Sequence, residues 1–228
     1  KNIYGDELDK NKDIKDKYVL HTQIGQGLID GVTLQLSDIK KDKVENEVNQ
    51  DELLLNAADH ELKSAKENFE QFAVNECFTK IDKALGFLSN ISSKNENSEK
   101  IRFEAFSLRN KAKEWAGLYQ EALAAAEEML KIANYLNDAK LKAISELAKG
   151  TALHWLGNYN SAIELLTSAL EIFKSNSHLK MAATCLNGMA FSKEMQSFHR
   201  DAIELLNQSL EFCENLDDDI LAGKTLYQ

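Results

Sequence analysis

Residues 150–173 read GTALHWLGNYNSAIELLTSALEIF, two helical patterns on either side of Gly157-Asn158-Tyr159. Small residues stand at Gly150, Ala162 and Ala169, and larger apolar ones at Leu153, Trp155, Leu165, Leu166 and Leu170. Apolar residues three and four apart share one face of a helix, so the stretch predicts a helical hairpin. Sliding the chain against itself by 40 residues lays Ala122, Ala162 and Ala202 on one another, then Leu130, Leu170 and Leu210. The same shift aligns Gly117, Gly157 and Ser197, then Tyr119, Tyr159 and His199. A fixed period of this size marks a solenoid, in which stacked hairpins build a core that none could build alone.

Working outward, the periodicity predicts hairpins over residues 51–90, 98–136, 139–175 and 178–215, with residues 218–228 opening a further repeat. The first hairpin matches at a shift of 45, with Cys77 over Ala122 and Leu85 over Leu130, because the polar stretch SNISSKNENSE (89–99) is inserted after it. Insertions at such a surface turn cost little. Its first helix is expected to put Leu54, Ala58, Leu62, Ala65, Phe69 and Phe72 on one face. In the fourth hairpin the first helix fits better at 38, which sets Gly188 on Gly150 and predicts a turn two residues longer around Met195–Phe198. Residues 46–228 thus form one repeat domain. Residues 1–45 are a polar lead-in and a capping or accessory segment, within which Leu20, Ile24, Leu28, Val32 and Leu36 recur every four residues, although glycines leave a strand through 32–36 open. A half-length helix pattern at the end predicts a fragment of a longer protein.

Composition narrows the function. The 228 residues include no proline, so no imide interrupts any helix. A net charge of −10 and a pI near 5.1 argue against a nucleic-acid partner. No run of 18 apolar residues exists and the first ten residues lack the apolar stretch of a signal peptide, so neither membrane insertion nor export is expected, and a cytoplasmic location follows. The cysteines Cys77, Cys185 and Cys213 match no zinc spacing and read as core residues. P-loop, GxGxxG, GxSxG and HExxH patterns are missing, and His60-Glu61 lacks a partner His. The expectation is therefore a protein that is not an enzyme, with no catalytic residue, metal or cofactor.

Gly150, Leu153, Gly157, Tyr159, Ala162, Leu166, Ala169 and Leu170 resemble the tetratricopeptide repeat signature, over about residues 51–228. The period is 40 where the family has about 34, and the proline that often follows the second helix is missing. The resemblance implies an all-α, right-handed superhelical solenoid of antiparallel helix pairs, and a protein or peptide bound in its concave groove. In the family's frame Ser107, Lys111, Glu114, Trp115, Leu147, Thr151, His154, Trp155, Asn187 and Glu194 project inward and are the candidate peptide-binding residues. The Lys/Asn rows with which some members clamp a C-terminal carboxylate are not matched. Trp115 and Trp155 read first as packing between repeats, since large aromatics dominate cores, and second as anchors for a bound peptide. Two other roles fit the same fold: the sensory arm of a kinase or nucleotide cyclase whose catalytic domain lies beyond Gln228, and an oligomerisation scaffold pairing with a copy of itself through terminal repeats.

Overall fold

A computed structural model describes residues 50–92 and 94–216. The expectations for residues 1–45 and 218–228 lie outside these. Eight α-helices account for nearly all of the described residues, and the chain divides into two compact units after Lys94.

In the first unit, α1 (Gln50–Glu70) packs against α2 (Val74–Ser89). Leu54, Ala58, Leu62 and Ala65, four residues apart or nearly so, are buried, as are Cys77, Ile81, Ala84 and Leu88 of α2. Phe72 departs from the expected face. The helix ends at Glu70, and Phe72 takes a left-handed turn conformation (φ 60°) with its ring 71% exposed.

The second unit holds three hairpins: α3 (Glu96–Trp115) with α4 (Tyr119–Leu136), α5 (Ala139–Trp155) with α6 (Tyr159–Ser175), and α7 (Leu179–Met195) with α8 (His199–Leu216). Each helix packs on its neighbours in sequence, and α5 also touches α3 and α7, the other first helices. Asn95 caps α3 by accepting from the Ser98 N–H while the Ser98 hydroxyl accepts from the Asn95 N–H; Asp138 caps α5 by accepting from Leu141 N–H at 3.0 Å.

Helix ends explain how the chain turns without proline. After α3, Gly117 adopts φ 72° and its N–H reaches Glu114 O, while the Leu118 N–H reaches Lys113 O. That pair of bonds is the Schellman arrangement, and it satisfies carbonyls that a helix end leaves orphaned. It recurs after α5 at Gly157, after α7 at Ser197, after α4 at Asn137 and after α6 at Ser177. Helices end at Trp115, Trp155 and Met195 and resume at Tyr119, Tyr159 and His199, so the fourth hairpin keeps the 40-residue register through its turn. The longer turn expected there is not formed.

Gly188 consequently is not the counterpart of Gly150; Ala190 is. The two glycines still share a physical reason. A Cβ on Gly150 would lie 2.8 Å from Leu166 Cγ, and one on Gly188 3.0 Å from Leu166 Cδ1. Leu166, fully buried on α6, therefore sits between its own first helix and the next one. One hairpin earlier the sizes are exchanged: Asn110 holds the Gly150 register and its amide donates to Ala122 O at 3.0 Å, and buried Ala126 holds the Leu166 register. Volume is conserved across the interface while identity is not.

Candidate binding surface

The ten candidate residues fall on α3, α5 and α7, at register positions that repeat from hairpin to hairpin. Positions at the C-terminal ends of these helices are open. Trp115 is 58% exposed, Trp155 53% and Met195, which holds the same register on α7, 60%. Trp155 is held in place: its ring stacks on Tyr119 at the start of α4, with centroids 5.3 Å apart and planes 10° from parallel. Packing and exposure thus coexist in one side chain, because one face meets Tyr119 and half its surface remains in water.

One residue earlier, the row Glu114, His154 and Glu194 is chemically uneven. Glu194 is exposed. His154 is only 8% exposed, edge-on to Trp155 at 5.1 Å and tilted against Tyr159 at 5.6 Å and Phe191 at 5.8 Å. Its Nδ1 lies 3.0 Å from Ser192 Oγ on α7. Loss of hydration among these rings disfavours the imidazolium and pulls the His154 pKa below that of free imidazole. Glu114 is half-buried. Desolvation is the main cause that raises its pKa to about 7, opposed by a hydrogen bond from the Asn110 side chain and by the charge of Lys111. Its Oε1 is buried without a hydrogen-bond partner.

The row a turn further back holds Lys111, exposed, Thr151, half-buried with its hydroxyl donating to Leu147 O at 3.0 Å, and Phe191. Ser107 is half-buried, and Leu147 and Asn187 are buried. Among the candidates the structure brings His154 and Trp155 together. Leu147 belongs to the apolar cluster around Leu166, Leu170 and Phe173. Among the described residues no group of His, Cys, Asp or Glu side chains has the geometry to hold a metal ion, and no helix is long and apolar enough to cross a membrane. Cys77, Cys185 and Cys213 are buried thiols, and burial with the nearby Glu146 charge pushes Cys185 up to about 12.

Residues 141–215, which carry α5 to α8, match the model of the tetratricopeptide repeat family. These are tetratricopeptide repeats. No curated protein matches the sequence. Among solved structures, the apo form of RapI is similar with a TM-score of 0.67 and 17% identity, over 92% of this chain and 74% of that one. A Signal Transduction ATPase with Numerous Domains protein with a tetratricopeptide repeat sensor, from Pyrococcus horikoshii, is similar with a TM-score of 0.65 and 15% identity, over 91% of this chain and 30% of that one. At these identities the likeness is one of fold.

Within the repeats, reasoning from sequence passed over Tyr119, Phe191, Ser192 and Met195. Ser192 had a legible signal: it breaks the series Ala112, Ala152, Ser192 at a position where packing asks only for a small residue. Tyr119 had a weaker one, since a repeated tyrosine after the turn reads as packing until its stack on Trp155 is seen.

Proposed function

We propose that the chain is a non-catalytic recognition module that binds an extended peptide or a partner helix across the inward positions of α3, α5 and α7. The carrying observation is the open apolar series Trp115, Trp155 and Met195, one per hairpin, with Trp155 pre-set by its stack on Tyr119. Large aromatic side chains that are already ordered lose little freedom on binding, so they suit the role of anchors. Polar groups beside them, Lys111, Thr151 and Glu194, supply hydrogen bonds that set register. The test is a fluorescence-polarisation screen of a labelled random-peptide library against the chain and its Trp155→Ala variant. Peptides that bind the former and lose about tenfold or more on the latter support the reading, by analogy with hot-spot truncation. Equal binding to both removes it.

A second reading places the same surface in the sensory arm of a larger signalling protein. The similar archaeal protein carries its tetratricopeptide repeats as a sensor, and this chain spans 30% of it. The two readings share the binding surface and differ in what lies outside this chain.

A further inference from the structure

We propose that Glu114 is the specificity-determining residue of this surface and receives a cationic group of the bound peptide, a Lys or Arg side chain or an N-terminal ammonium. The inference rests on the peptide-binding reading and names the chemistry of the peptide.

Three observations converge on it. First, the carboxyl is half satisfied: Asn110 hydrogen-bonds to it, while Oε1 is buried with no partner. A buried acceptor left without a donor is costly, so the free protein holds an interaction that a donor from outside would complete. Second, the repeat explains the vacancy. His154 takes its partner Ser192 from 38 residues further on, whereas the residue 38 beyond Glu114 is Ala152, which has no hydroxyl to offer. The next hairpin closes this position and the one at Glu114 leaves it open. Third, the row in which Glu114 stands carries no cation of its own. Along this row Glu114 and Glu194 flank a His154 kept neutral by burial, in a chain of net charge −10.

Other cations nearby are committed. Lys113 pairs with Glu121 at 2.5 Å, and Lys149 with Glu127 at 3.2 Å. Lys111, exposed on the same helix, acts on Glu114 through its charge but makes no hydrogen bond to Oε1. A cation arriving there meets a half-buried carboxyl whose Oε1 is shielded from water, and a charge-assisted hydrogen bond to its ionised form is stronger there than in bulk solvent.

The experiment uses phage-displayed random hexapeptides selected on the full chain, followed by synthesis of the best binder and its twin with the basic residue replaced by norleucine. The expected result is a basic residue at one fixed position. The twin should bind the wild type about tenfold or more weakly and Glu114→Gln within about twofold of its parent, as a charge-assisted bond lost in both arms requires. Glu114→Asp, which keeps the charge and withdraws it by one methylene, should lie between. N-acetylation of the binder separates an ammonium terminus from a side chain as the source. If the twins bind the wild type alike, or the loss persists in Glu114→Gln with unchanged helicity, the assignment is overturned while peptide binding stands. If no selected peptide depends on Trp155, the peptide-binding reading fails and takes this one with it.

Discussion

Ser192 Oγ lies 3.0 Å from His154 Nδ1 and 3.0 Å from the Gly188 carbonyl. A hydroxyl has one proton, and a carbonyl can only accept, so Ser192 donates to Gly188 O and accepts from His154 Nδ1–H. The neutral Nδ1–H tautomer follows, which nitrogen chemical shifts of His154 will report. Ser192→Ala leaves that N–H buried and unpaired. Alanine fills the same register at Ala112 and Ala152, so packing tolerates it and the loss, about 1–3 kcal/mol read from denaturant unfolding, reports the hydrogen bond.

Two titrations should pull stability in opposite directions. His154 has a native pKa below its unfolded value, so the unfolded chain binds more protons and His154's contribution is present above the unfolded pKa and lost as pH falls towards the native one. Glu114 is raised from 4.5 to about 7 in the native state, so the native chain holds the extra proton and stability falls as pH rises across that window. The ceiling on this effect is roughly 3 kcal/mol, from about 1.4 kcal/mol per pKa unit. Glu114→Gln should match the wild type near pH 5 and exceed it near pH 8. Urea midpoints at the two pH values decide this; equal pH slopes for the two proteins would refute it.

Leu166 sets the cost of filling either glycine. Gly150→Ala gains about 1 kcal/mol of helix propensity but drives a methyl to 2.8 Å from Leu166 Cγ and 3.3 Å from Ala162 O. The side chain is fully buried and the carbonyl belongs to a helix, so neither yields, and overpacking of about 1–3 kcal/mol wins. Gly188→Ala meets only the end of Leu166, at 3.0 Å, and should be near neutral. Thermal melts of the two variants should therefore separate, with Gly150→Ala the lower.

The hairpins were legible because their signal is periodic: small residues at Gly150, Ala162 and Ala169 and large ones at Leu166 and Leu170 must recur wherever helices stack. The register of the fourth first helix differs from its sequence expectation for a related reason. Gly188 and Gly150 touch the same leucine from opposite sides, and a sequence shift cannot tell two neighbours of one side chain from two copies of one position. The site was harder to read. Whether Trp155 packs or is exposed depends on Tyr119, which comes 36 residues earlier, and the unmet need of Glu114 depends on an absent hydroxyl at Ala152. Repeats advertise what they share, and recognition uses what they do not.

Ser197 offers the most direct stabilising change. It occupies the left-handed turn position at φ 66°, where Gly117 and Gly157 stand at 72° and 81° in the two preceding hairpins. A Cβ in this region meets the neighbouring backbone, a penalty that glycine escapes. Ser197 is exposed, and its N–H, which donates to Glu194 O at 2.8 Å, is unaffected by the side chain. Ser197→Gly should therefore stabilise the chain by about 0.5–1 kcal/mol, the relief of strain outweighing the extra freedom that glycine gives the unfolded state. The converse exchange, Gly157→Ser, should destabilise by a similar amount. Opposite shifts in urea midpoint for the pair, at equal m-values, are the expected result; shifts of the same sign would show that the turn conformation is not what these residues control.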